Sequence, residues 1–115
     1  MPFIDVVLGD KLSKKQRESL KTNIGQLISI IPEKSEQNLM LRITDGNQLY
    51  FQGKEHNGGG YMHIKLHHQA PMELKEKLIE QLFQMYQEQL GYAPEDMYIT
   101  IEEFDHWGAL GKYLP

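Results

Sequence analysis

The chain has 115 residues, enough for one domain, and no cysteine, which excludes disulfides, thiol catalysis and thiolate metal sites. Its net charge is −4, and its densest positive stretch (Lys11, Lys14, Lys15, Arg17 and Lys21) is interrupted by Glu18, so it reads as a solvated helix face and no nucleic-acid partner is expected. No segment approaches the roughly 18 apolar residues of a membrane span, and the opening Met-Pro-Phe-Ile-Asp-Val-Val has neither the basic region nor the long apolar core of a signal peptide, which points to the cytoplasm and to no membrane partner.

Residues 2–8, Pro-Phe-Ile-Asp-Val-Val-Leu, are short, β-branched and apolar, and predict a strand that starts at the chain end. Proline is tolerated as a first strand residue. Ser13 offers an N-cap, with Gln16 three residues on as its capping-box partner. Leu20, Ile24, Leu27, Ile28 and Ile31 follow at helical spacing, and Pro32 ends the helix. Residues 38–43 alternate Leu39, Leu41 and Ile43 on one face, a second strand. Asp45, Gly46 and Asn47 form a turn, and residues 48–52 read as a short extension. Residues 54–60 hold three consecutive glycines and read as a flexible connector. A phosphate cradle is disfavoured there, because no Gly-Lys-Ser/Thr follows and a strand comes next.

Residues 61–66 alternate as a third strand. Pro71 suits a first helical turn, Leu74, Leu78, Leu82, Met85 and Tyr86 carry the apolar stripe, and Gly91 sits where a helix-ending glycine belongs. Residues 97–101 are a fourth strand. A shift of 58 residues lays Ile4, Val6 and Leu8 on Met62, Ile64 and Leu66, Leu20, Ile24 and Leu27 on Leu78, Leu82 and Met85, and Leu39, Leu41 and Ile43 on Met97, Ile99 and Ile101. The reading is α+β: one domain over 1–115, built of two pseudo-repeated β-α-β units at about 2–53 and 60–111. A right-handed crossover makes the strands of each unit parallel. Four strands and two helices form two layers, which leaves one sheet face without a helix and predicts an oligomer.

Proline directly after the initiator methionine permits removal of Met1, which turns Pro2 into a secondary amine. An α-amino group ordinarily titrates near 8. Burial or a nearby cation moves it toward neutrality, where a general base works best. A strand that starts at once fixes that nitrogen in space. The histidines do not make a metal site: His63 and His67 lie on one strand face, but four residues of strand separate them by ~13 Å.

The opening Met-Pro-Phe-Ile, the repeated β-α-β unit and the chain length resemble the macrophage migration inhibitory factor branch of the tautomerase superfamily, and the opening is also similar to 4-oxalocrotonate tautomerase. Residues 34–41, Lys-Ser-Glu-Gln-Asn-Leu-Met-Leu, resemble the lysine-containing approach to the second strand. Residues 45–53 resemble the stretch after it. Residues 93–99, Ala-Pro-Glu-Asp-Met-Tyr-Ile, resemble the approach to the fourth strand, and His106, Trp107 and Gly108 resemble the superfamily's aromatic-glycine ending.

The resemblance implies a homotrimer whose sheets wrap into a central barrel, with a site at each subunit boundary and no cofactor. It makes Pro2 the catalytic base and Lys34 the holder of a substrate carboxylate. It places His67 where a backbone N–H meets substrate, its side chain being a further proton donor or pointing away. Tyr98 matches a tyrosine contributed by the neighbouring subunit, Thr100 a polar contact beside it, and Trp107 the apolar floor. The paired arginines of 4-oxalocrotonate tautomerase are not evident, so a small monoacid 2-keto acid such as phenylpyruvate fits better than a doubly charged one. Arg42 is a further carboxylate partner to consider. The implied activity is keto-enol tautomerisation. Decarboxylation, dehalogenation and a non-catalytic binding trimer are the alternatives.

Overall fold

Along the first strand, β1 (Pro2–Leu8), every second side chain is buried. A computed structural model describing residues 1–115 places this strand at the centre of a four-stranded sheet. After it come α1 (Lys14–Leu27), β2 (Met40–Thr44), β3 (Tyr50–Phe51), β4 (Lys54–Glu55), β5 (Gly60–His67), α2 (Met72–Leu90), β6 (Met97–Phe104), β7 (Trp107–Ala109) and β8 (Lys112–Leu114). The sheet order is β2-β1-β5-β6. β1 and β2 run parallel, as do β5 and β6, and the two pairs meet antiparallel through β1 and β5. Phe3 pairs with Met40 and Gly60 with Met97, so both parallel pairs join residues 37 apart. The two β-α-β units therefore share one register.

The capping box at Ser13 and Gln16 is present, with the Ser13 hydroxyl accepting from the Gln16 N–H at 3.1 Å. The α-helix stops at Leu27 and continues to Ile30 as a tighter 3₁₀ turn, so Ile31 lies beyond the helix. Pro71 stands just before α2, and Gly91 closes that helix in the left-handed region at φ 70°. Ile4, Val6, Leu8, Met62, Ile64 and Leu66 from the sheet meet Leu20, Ile24, Leu78, Leu82 and Tyr86 from the helices in one core.

Two features differ from the sequence reading. Two small hairpins, β3–β4 and β7–β8, replace the single extension and the plain tail. The glycine run is not a slack connector either. A Cβ on Gly60 would land on the Val7 carbonyl oxygen, and one on Gly59 on the Asp96 carbonyl oxygen. These glycines admit the close backbone approach that starts β5, which periodicity alone cannot reveal.

The helix-free face is not a bare apolar surface. Arg42 forks onto Asp5, with Nε and Nη2 at 2.9 and 2.6 Å from the two carboxylate oxygens. His63 Nε2 lies 2.9 Å from Glu102 Oε1, and the Tyr61 and Thr100 hydroxyls share a 2.6 Å hydrogen bond. The Asp5 carboxyl is held below its ordinary value of 3.8, first by the Arg42 hydrogen bond, against a smaller upward push from burial. A depressed carboxylate contributes stability that is complete above its unfolded value and is lost as the pH falls through the folded one. Asp5→Asn should therefore lose less stability than the parent on acidification below about pH 4, which thermal melts across that range will read. No helix is long and apolar enough to cross a membrane.

Candidate active site

Where β1 begins, β5 ends. Pro2 pairs with Leu66, and the His67 N–H donates to the Met1 carbonyl at 3.2 Å. Lys34 reaches the same place from the other layer. Beyond α1 the chain turns at Pro32, takes a positive φ of 67° at Glu33, and closes with the Lys34 N–H on the Ile31 carbonyl at 3.1 Å. That turn aims the Lys34 ammonium at the His67 carbonyl, 3.1 Å away. Both backbone groups of His67 are thus taken, one by Met1 and one by Lys34.

The chain-terminal amine on Met1 is pushed down from 8.0 to about 5, first by burial and then by the hydrogen bond and charge of Lys34, with Glu33 opposing. The depression expected from a buried amine beside a cation is therefore present at this end of the sheet.

The His67 side chain is 6% exposed. Its ring stacks on His68 at 3.7 Å between centroids and on Trp107 at 5.9 Å. Its Nε2 has no hydrogen-bond partner. Burial lowers its pKa from 6.5, and the charges of His68, the terminal amine and Lys34 push the same way. Trp107 opens β7 and is braced by Phe104. His68 leaves the strand at a positive φ of 76°, with its N–H on the Phe104 carbonyl at 2.9 Å. Glu103 pins the segment beyond it, accepting from the Ala70 N–H at 2.6 Å and from Lys75 at 3.0 Å. Between these walls lies a cleft of about 140 Å³ that Lys34, His67 and His68 line.

Pro2, Lys34, His67 and Trp107 are brought together in one chain. Tyr98 and Thr100 are not. Tyr98 pairs with Tyr61, five residues back along β5 from Leu66, or about 17 Å away. It lines a second cavity of about 150 Å³ with Tyr50, Phe51, Tyr61, His56 and Asp96. There Tyr98 meets Phe51 edge-on at 5.5 Å, and His56 Nε2 stands 3.6 Å from Asp96 Oδ1. Arg42 is committed to Asp5. The His56–Asp96 pair and the stacking of His67 on His68 carried no signal in the sequence, since each depends on a turn at Gly59 or a positive φ at His68.

No protein-family model and no curated protein sequence matches the chain. Solved structures do. A MIF2 protein of Leishmania major aligns with a TM-score of 0.85 at 18% identity, over 99% of this chain and 97% of that one. This chain has the MIF-like tautomerase fold. Two further tautomerase-superfamily structures share it. A fused 4-OT, solved as an asymmetric trimer, aligns at TM-score 0.80 and 16% identity, over 96% of this chain and 94% of that one. Pt0534, solved after inactivation by 2-oxo-3-pentynoate, aligns at 0.78 and 16%, over 96% and 92%. The identities are low enough that this likeness carries the fold, and the chemistry rests on the site itself.

Proposed function

We propose that the protein is a cofactor-independent keto-enol tautomerase acting on a small monoacid 2-keto acid, with Pro2 as general base once Met1 is removed. One observation carries the reading. The Met1 carbonyl oxygen lies on the His67 N–H and its amine beside Lys34, and in our reading a substrate takes that place. Removing Met1 leaves Pro2 with a secondary amine and frees the His67 N–H, both beside the Lys34 cation. Those are the groups such a reaction needs: a base for the proton on carbon, a donor for the carbonyl oxygen and a positive charge for the carboxylate. Lys34 also disfavours a protonated Pro2, as it disfavours the charged amine on Met1.

Trp107 supplies an apolar wall beside His67. Tyr98 and Thr100 serve the site of a neighbouring subunit in a homotrimer, which reconciles their distance from Pro2 within one chain. The trimer formed by the fused 4-OT supports this assembly. The polar open face suits a water-lined barrel better than a dry interface, because Asp5, Arg42, His63 and Glu102 are already paired there.

The test is ketonisation of enol-phenylpyruvate by protein whose mass shows that it starts at Pro2. Turnover well above buffer is expected, and its absence would end the tautomerase reading for this substrate class. Lys34→Ala should raise KM more than it lowers kcat. A charge-assisted hydrogen bond of about 1.5–3 kcal/mol corresponds to roughly 10–150-fold in affinity.

A further inference from the structure

Tautomerisation moves two protons, one at carbon and one at oxygen. Pro2 accounts for the first. The oxygen proton needs a second group, and the geometry points to the His67 imidazole as that group. This assignment rests on the tautomerase reading of the cleft and adds a second catalytic residue to it. In the ketonising direction His67 Nε2 takes the enol O–H proton while the protonated Pro2 nitrogen gives its proton to the neighbouring carbon. One O–H and one N–H bond break, one C–H and one N–H bond form, and no electrons leave the pair of reactants. Proton exchange between His67 and Pro2 through water then restores the starting state. Enolisation runs the same steps backward.

Three independent observations carry the assignment. First, Nε2 is buried without any partner. Buried polar atoms are nearly always satisfied. The other two such atoms, the hydroxyls of Tyr86 and Tyr92, lie in the core around the helices and face no cleft. His67 lines the cleft that Lys34 lines, so its unused nitrogen is the one a bound oxygen can satisfy. Second, the ring is held in place. Its backbone carbonyl accepts from Lys34, and its faces stack on His68 and Trp107. Third, the surroundings keep it neutral and able to accept a proton. Burial comes first, the charges of His68, the terminal amine and Lys34 act the same way, a hydrogen bond to the Pro115 backbone opposes them, and Glu33 faces the amine. Lys34 is a poorer candidate for the oxygen proton, since its ammonium donates to the His67 carbonyl and in this reading also holds the substrate carboxylate.

The experiment compares Pro2-started parent, His67→Gln and His67→Phe. Each is checked for folding by circular dichroism and thermal melt. Gln keeps an amide that can hydrogen-bond but cannot carry a proton, and Phe keeps an aromatic ring to stack on His68 and Trp107 but no polar atom. Two readouts are taken: the pH dependence of kcat for enol-phenylpyruvate, and the rate at which 2-oxo-3-pentynoate labels Pro2, read by mass. Labelling needs the proline nucleophile and no oxygen proton carrier. Both variants should lose about 100-fold or more in kcat, lose the kcat–pH limb that belongs to His67, and keep the labelling rate within a few fold. Full kcat in His67→Gln would overturn proton transfer by His67. Equal loss of turnover and labelling in folded variants would also overturn it, since His67 would then only shape the site. A parent that labels but turns over no enol would overturn the tautomerase reading and this role with it, and the parent's own assay separates that outcome from the others.

Discussion

Extending the chain by one residue before Pro2 should abolish turnover, and Pro2→Ala should cut kcat/KM by at least about 100-fold. An added residue turns the ring nitrogen into an amide, which has no lone pair to offer at any accessible pH. Alanine leaves a primary amine in nearly the same place, so a residual rate above buffer is the expected remainder. The pH profile adds a second, sharper reading. The terminal amine at this spot falls to about 5 because it is buried and because Lys34 stands next to it. In the enolising direction, read as exchange of the carbon-bound protons of phenylpyruvate with solvent, the proline works deprotonated, so kcat/KM should rise with pH through a midpoint below the ordinary 8.0. Lys34→Ala removes one of the two causes, and the midpoint should then move upward toward that value. A midpoint that ignores Lys34 would mean that the lysine does not tune the proline. Protein that retains Met1 should be inert in the same assay, because Met1 itself fills the place between His67 and Lys34.

How much of this was legible in advance differs between fold and site, for physical reasons. Period-2 and helical patterns recorded the faces of β1, β5, α1 and α2, because burial against one layer imposes them. The equal spacing of Leu39, Leu41 and Ile43 against Met97, Ile99 and Ile101 is matched by the shared register of the two parallel pairs. Pro2 stood out by its place after Met1 at the start of a strand, whereas Lys34 was singled out only through resemblance. Nothing local to either residue states that the turn at Glu33 carries Lys34 back to the start of β1. The β3–β4 and β7–β8 hairpins were missed because two- and three-residue strands are too short to show a period. Gly59 and Gly60 were misread because a run of glycines looks the same whether the backbone is free or pressed against Val7 and Asp96. The unpartnered nitrogen of His67 has no sequence signature at all.

Stability should divide sharply between neighbouring residues of β5. Ile64 is fully buried at the middle of the central strand pair, opposite Ile4 on β1 and Ile101 on β6. Its side chain points into the core beside Leu66 and Met62 and meets the helix layer. Ile64→Ala removes that side chain from a close-packed interior and leaves a cavity, at a cost of about 2–5 kcal/mol. That is a large fraction of the roughly 5–15 kcal/mol that holds a domain folded. Ile64→Val should cost only about 0.5–1.5 kcal/mol, since one methylene is lost and the branch at Cβ is kept. The adjacent residue, His63, faces the open side and pairs with a half-exposed Glu102, so His63→Ala should fall within about 1 kcal/mol of the parent. Urea denaturation of the three variants reads the contrast directly, with the midpoint shifted and the slope unchanged if the fold still opens in one step. Comparable losses at positions 63 and 64 would mean that the open face is a buried interface in the folded assembly, and the trimer would then be stabilised through the sheet itself. A loss confined to position 64 places the core between sheet and helices and leaves the charged face in water, as a solvent-lined barrel requires.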